Sequence, residues 1–230
     1  MLNSVAFIPD GNRRYALSKG IPLFQSYQIG TQKAWDVIEM LKDYPKIKVG
    51  TFYTLSLENL TRNKTELKIL FSIFEKELDK VINLDYFLVN DLKLKFIGRV
   101  EEFPANIKKK IFKAQETTEN NKGKTINLAL GYDGQAEIVD AAKKIALGYQ
   151  NGLDLDSLNE KSFKKYLYSD FADPDLIIRT SGTQRLSGFL TYQSSYSEFY
   201  FTKKFWPEFS EQDLSEAVSE YDDRQRRFGK

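Results

Sequence analysis

The feature that most limits the fold of this chain is an alternation: short runs of β-branched and aromatic residues recur between longer segments of helical periodicity. The runs cover residues 5–8, 49–55, 92–97, 125–130 and 176–179, and the segments 28–43, 64–89, 104–120, 134–147 and 210–226 read as helices. Strands separated by helices build a parallel sheet with helices on its faces, so the expected fold is α/β with a central, mostly parallel sheet. Pro104 stands at a favoured helix start and Gly123 shortly after a helix end. No repeat, low-complexity tract or long linker interrupts the 230 residues, and 41% hydrophobic with 14% aromatic content is enough core for one domain over residues 1–230.

Composition narrows the chemistry. The chain has no cysteine, which removes disulfides, thiolate metal sites and cysteine nucleophiles. It also has no histidine, so the usual general base, Ser-His triads and His-ligated metals are excluded. Carboxylates, hydroxyls, amides, lysines and arginines remain, an inventory that suits carboxylate-bound magnesium. Thirty-four basic against 32 acidic residues give a net charge of +2, so bulk charge points to neither nucleic acid nor a membrane surface. The N-terminal segment is too short and uncharged for a signal peptide, and no apolar run reaches the length of a membrane span; the expectation is a soluble cytoplasmic protein.

Three polar clusters follow predicted strands, where open α/β sheets place their ligands. In Ile8-Pro9-Asp10-Gly11-Asn12-Arg13-Arg14-Tyr15, Gly11 allows close backbone approach, a helix start supplies N–H groups, and Arg13 and Arg14 add phosphate donors. Asp10 fits among anion-binding groups if magnesium bridges it to a diphosphate. A plain Asp-Gly turn with Asn12 as N-cap explains these residues equally well. The second cluster, 56–66, contains Asn59, Arg62 and Glu66, and ordinary helix capping, with Thr65 as N-cap or first-turn residue, accounts for it. The third, 175–187, sets Arg179, Arg185, Ser187 and further hydroxyls after a buried strand, a competent second diphosphate cradle. Further on, Glu198 stands in an aromatic, strand-like run where burial demands a metal or an arginine beside it.

Residues 65–90 carry a wide apolar face. Leu67, Leu70, Phe71, Phe74, Leu78, Val81 and Ile82 form one stripe, and Ile69 and Ile73 broaden it beyond what one sheet face needs. Read alone, this is a buried core helix; the alternative is a helix with a second side on an apolar tunnel.

The clusters in their order resemble the cis-prenyltransferases, the undecaprenyl and dehydrodolichyl diphosphate synthases. The resemblance runs through Asp10-Gly11-Asn12-Arg13-Arg14-Tyr15-Ala16, Ser56-Leu57-Glu58-Asn59, residues 126–134, Ile178-Arg179-Thr180-Ser181-Gly182, Ser197-Glu198-Phe199-Tyr200-Phe201-Thr202 and the tail Arg226-Arg227-Phe228-Gly229. It implies a magnesium-dependent transferase that adds isopentenyl diphosphate to an allylic diphosphate primer, forming a long-chain polyprenyl diphosphate and releasing diphosphate. By the same matching Asp10, Gly11, Asn12, Arg13, Arg14 and Arg62 hold the allylic diphosphate. Arg179, Arg185, Ser187, Arg227 and Gly229 hold the isopentenyl diphosphate. Asp10 and Glu198 become the magnesium-linked carboxylates, and Asn59 stands at the reacting centre. Leu55, Leu67, Leu70, Phe71 and Phe74 become tunnel residues, with Phe71 and Phe74 bulky enough to limit its depth, so an alanine at the floor would lengthen products.

The chain also departs from that pattern. Leu23 and Tyr27 stand where many bacterial members have arginine and histidine, Arg13 stands where they have glycine, and Thr183 replaces a frequent acidic residue. A different class of function is a catalytically silent partner subunit of an active synthase; such partners typically lose the Asp-Gly-Asn loop, which is intact here. Loop and tail in one chain favour a self-sufficient homodimer, with peripheral membrane contact for product release. No P-loop or Gly-x-Gly-x-x-Gly follows any strand, which counts against a nucleotide-binding enzyme.

Overall fold

The computed structural model describes residues 1–224. Its centre is a six-stranded sheet in the order β3-β4-β2-β1-β5-β6, made of β1 (Ser4–Ile8), β2 (Val49–Ser56), β3 (Lys93–Ile97), β4 (Thr125–Tyr132), β5 (Leu176–Arg179) and β6 (Glu198–Phe201). Every pairing is parallel. A strand buried on both faces must be apolar at successive positions, which is why the inner strands read as near-continuous hydrophobic runs. In β1, Val5 and Phe7 enter one core with Phe52, Trp206 and Phe209, while Ala6 and Ile8 enter the other with Ile177 and Phe189.

The helices are α1 (Asn12–Lys19), α2 (Leu23–Met40), α3 (Lys64–Asn83), α4 (Tyr86–Val89), α5 (Ala105–Thr118), α6 (Gly134–Gln150), α7 (Glu160–Phe163) and α8 (Glu211–Asp223). Two differ from the periodicity reading. Helix α2 begins at Leu23 behind Pro22, five residues before the expected start, and it buries Ser26 and Tyr27. The predicted helix 64–89 is two, because Leu84 adopts extended backbone after α3 and the chain restarts at α4. The cap of α3 is Asn63, which accepts a hydrogen bond from the Glu66 amide at 2.8 Å, and Thr65 lies in the first turn. Likewise Gly11, not Asn12, occupies the N-cap position of α1.

The sheet order has a functional consequence. The chain leaves β1 toward β2 on one side, whereas β5, the other neighbour of β1, leads on to β6 on the opposite side. Connections diverging this way open a crevice above the carboxyl ends of β1 and β5, the usual ligand position in open α/β sheets. Among the described residues no helix is long and apolar enough to cross a membrane.

Candidate active site

The crevice joins the first and third polar clusters. Asp10 follows β1, Arg179 ends β5, and their side chains form an ion pair with Nη2 of Arg179 at 2.9 Å from Oδ2 of Asp10. Arg179 also donates to the hydroxyl of Ser187 at 2.9 Å and to the carbonyl of Arg185. Its buried Nε has no partner in the structure. Arg14 approaches the other oxygen of Asp10 at 3.4 Å and donates to the carbonyl of Ser181 at 3.1 Å. Burial works to raise the carboxyl of Asp10, but the hydrogen bond and charge of Arg179, with Ser181 and Arg14, outweigh it and hold the group below the ordinary carboxylate range.

The backbone around these groups is pinned by Thr180, a member of the third cluster with no role assigned from sequence, and by Trp206, which motif reading passes over. The Thr180 hydroxyl accepts from the Asp10 amide at 3.0 Å and donates to the Asp10 carbonyl at 2.7 Å. The Trp206 amide donates to that same carbonyl at 3.0 Å, and its indole N–H donates to the Gly30 carbonyl at 2.7 Å. Gly11 has φ 108°, and a Cβ there would stand 2.7 Å from a Phe205 ring carbon, so only glycine fits. The resulting N-terminus of α1 carries no side-chain cap and no acidic residue, which leaves its amides and positive dipole end available to an anion.

The second cluster faces the same space. Arg62 donates to Glu66 at 2.6 Å and to the hydroxyl of Tyr27 at 3.1 Å, and Tyr27 donates to Glu66 at 2.6 Å. Glu66 is buried, which raises its carboxyl; Tyr27, Arg62 and the charge of Arg13 more than reverse that, so it remains ionised. Burial and then the bond to Glu66 push Tyr27 up to about 12. Tyr27 is therefore a neutral hydroxyl between an acid and a base.

From this polar mouth a cavity of about 710 Å³ extends under α2 and α3. Asp10, Gly11, Asn12, Arg13, Arg14, Asn59, Arg62, Arg179 and Ser187 line it, as do Leu55, Leu70 and Phe74. Leu67, Phe71 and the side chain of Arg185 are not part of its wall; Phe71 packs on Phe103, with ring centroids 5.6 Å apart. An apolar stripe on a helix does not distinguish the positions that meet solvent-free space from those that meet a neighbouring ring.

The profile of the prenyltransferase family, that of undecaprenyl diphosphate synthase, matches residues 8–229. The chain belongs to this family. It is 40% identical over 228 residues to a tritrans,polycis-undecaprenyl-diphosphate synthase (geranylgeranyl-diphosphate specific) of Methanopyrus kandleri, covering 98% of this chain and 84% of that one. An isoprenyl transferase of Thermus thermophilus is 38% identical over 236 residues, covering 100% and 89%. The crystal structure of lavandulyl diphosphate synthase from Lavandula x intermedia, in complex with dimethylallyl diphosphate, superposes with a TM-score of 0.94 at 35% identity, covering 100% of this chain and 98% of that chain.

One expected pairing for the family does not occur within this chain. Glu198 opens β6 opposite Leu176, which itself pairs with Val5, whereas Asp10 lies five residues beyond Val5, roughly 16 Å further along the strand direction. Glu198 shares its side of the sheet with Tyr200, and its carboxylate is held by Arg224 at 2.8 Å. The arginine anticipated beside it is present, but Asp10 and Glu198 do not form one metal site in a single subunit. The other expected contributors, Arg227 and Gly229, lie outside the described residues.

Proposed function

We propose that the protein condenses isopentenyl diphosphate with an allylic diphosphate primer to make a long-chain polyprenyl diphosphate. The observation that carries this reading is the Asp10–Arg179 pair, which sets two arginine-bearing anion sites side by side at the mouth of an apolar cavity. One site has room for the diphosphate that leaves, the other for the diphosphate that stays, and the cavity for the hydrocarbon.

In the reaction the allylic C–O bond breaks, a C–C bond forms to the terminal vinyl carbon (C4) of the isopentenyl unit, and a proton is lost from its C2, next to the carbon that bears the diphosphate, as the new C2–C3 double bond forms. Charge grows on the departing diphosphate, where Arg13, Arg14, Arg62 and the amides of α1 stabilise it. Arg179 and Ser187, with Arg185 from the same loop, orient the isopentenyl diphosphate. Without histidine in the chain, the departing diphosphate takes the proton, and Asn59 at the cavity mouth orients it.

Asp10 suits magnesium. It presents a carboxylate at the mouth, and no group of three acidic residues is placed to hold a metal ion among the described residues; a single carboxylate plus substrate phosphates is a common donor set for this ion. When bound, magnesium neutralises diphosphate charge. Two further elements of the proposal are a homodimer, supported by the tail with Arg227 and Gly229, and a cytoplasmic enzyme that touches the membrane peripherally. Exposed Leu84, Leu88 and Val89 at the α3–α4 corner support that contact.

The test incubates purified protein with labelled isopentenyl diphosphate, magnesium and allylic primers from dimethylallyl to geranylgeranyl diphosphate. Label is expected in solvent-extractable products only when primer and magnesium are both present. Absence of label with every primer, restored by adding a second synthase subunit, would replace this reading with that of a partner subunit.

A further inference from the structure

The loop after β5 bends through left-handed backbone at positions that are not glycine. Ser187 has φ 53° and Leu190 has φ 46°. L side chains rarely adopt this conformation, and it persists only where the surroundings over-determine it. The sheet shows what determines Ser187. Phe7 pairs with Phe52 and Ile8 with Arg179, so Tyr53 and Arg179 flank Ile8 on the same face, two strands or roughly 10 Å apart. Both reach Ser187. Arg179 donates to its hydroxyl at 2.9 Å, and the Tyr53 hydroxyl donates to its carbonyl at 3.2 Å.

The Tyr53 hydroxyl also lies 3.2 Å from the carbonyl of Tyr132, the last residue of β4. A phenol has one proton, so it is shared between a carbonyl fixed in the sheet and a carbonyl on the loop. The ring is aligned for this by stacking on the fully buried Phe189 of the same loop, with centroids 4.6 Å and planes 10° apart. Burial, and then the negative charge of Asp133, push the phenol well above its ordinary value, so Tyr53 keeps its proton and remains a donor. For packing alone a phenylalanine would serve. What the hydroxyl adds is a tether on the residue whose side chain meets Arg179.

We propose that Tyr53 is a positioning residue for isopentenyl diphosphate, holding Ser187 in the conformation that sets its hydroxyl against Arg179. Arg179 and Ser187 meet the substrate, and Tyr53 acts through Ser187 from the other side of the loop. The inference rests on the synthase reading above. It assigns the accuracy of the second anion site to a side chain of β2 that belongs to none of the three polar clusters.

The experiment compares wild type, Tyr53→Phe, Ser187→Ala and the double variant by calorimetric titration with isopentenyl diphosphate in the presence of magnesium, and by KM for the same substrate with geranylgeranyl diphosphate as primer. Tyr53→Phe is expected to weaken binding and raise KM about fivefold, the worth of one neutral hydrogen bond. In the Ser187→Ala background, with no hydroxyl left to aim, the same change should cost within about twofold. Equal losses in both backgrounds, no loss in Tyr53→Phe, or unaltered constants in Ser187→Ala overturn the assignment.

A merely structural role for Tyr53 would move both substrates together. KM for the primer is therefore expected to stay within about twofold of wild type in Tyr53→Phe, and a rise equal to that for isopentenyl diphosphate rejects the positioning role. Should Tyr53→Phe not fold, Phe189→Leu, which removes the ring that aligns the phenol and leaves its hydroxyl, carries the same comparison of the two constants. Tyr53-dependent binding in a protein that incorporates no label keeps the tether and rejects the synthase reading. Label incorporation by wild type, with unchanged constants in Tyr53→Phe, keeps the synthase reading and rejects the tether.

Discussion

Asp10 and Arg179 are 169 residues apart in sequence and form a 2.9 Å ion pair at the ends of adjacent strands. The guanidinium is buried and simultaneously holds Ser187 and the Arg185 carbonyl, so one side chain ties the first-strand loop to the loop after β5. Removing the carboxylate therefore disturbs both anion sites. Asp10→Ala is expected to lower turnover by roughly 10²- to 10³-fold, the scale of losing one directed electrostatic contact in an active site. It should also destabilise the fold by about 1–3 kcal/mol, because Arg179 loses a partner while buried. Steady-state incorporation of labelled isopentenyl diphosphate and urea unfolding measure the two effects; retention of full turnover would remove Asp10 from the chemistry.

The same pair gives a signed pH dependence. The folded-state carboxyl of Asp10 lies below its ordinary value of 3.8, so its contribution to stability is complete above that value and is lost as pH falls through the lower folded value. The chain has no histidine, so few side chains titrate between about pH 5 and 8. Urea midpoints should be nearly flat across that window. The gap between wild type and Asp10→Asn should hold constant there and shrink only below about pH 4. A gap that changes between pH 6 and 8 would contradict this assignment.

Tyr27 donates to Glu66 and accepts from Arg62. Tyr27→Phe deletes both bonds while keeping the ring, and Arg62 then has Glu66 alone to position it. The expected loss is about 1 kcal/mol in primer binding, roughly a fivefold rise in KM for the allylic diphosphate with kcat little changed. KM for isopentenyl diphosphate, bound by the other cluster, should stay within error. An equal rise in both constants would point to general loosening of the site.

Phe71 and Phe74 sit three residues apart on one apolar stripe but face different surroundings. Both pack on Phe103, but Phe74, which also meets Phe96, lines the cavity and Phe71 does not. Phe71→Ala is expected to cost about 2 kcal/mol of stability and leave products unchanged. Phe74→Ala should weaken primer binding through lost apolar contact yet retain the wild-type maximum length, since the cavity continues past it to Glu77 and Val81. Product sizing beside chemical denaturation separates the two variants, and longer products from Phe74→Ala alone would return the length limit to that ring.

What the sequence by itself determined is whatever depends on near neighbours. The β-branched runs and intervening helices announced a parallel sheet because strand and helix periods are local, and Asp10-Gly11-Asn12 and the 175–187 segment announced anion sites because each is a contiguous strand-to-loop motif. Polar Gln25 and Ser26 blur the apolar period of α2, so its first turn is not legible in the sequence, and nothing local marks Tyr27 as a buried link to Glu66, 39 residues away. Only the tertiary structure decided which strand ends meet. Parallel register put Arg179 beside Asp10 and carried Glu198 to the far end of β6, a distinction no spacing in the chain encodes. The same holds for the cavity wall: a hydrophobic stripe declares that a face is covered, but whether a ring on it also borders a cavity, as Phe74 does and Phe71 does not, depends on where the other elements come to rest.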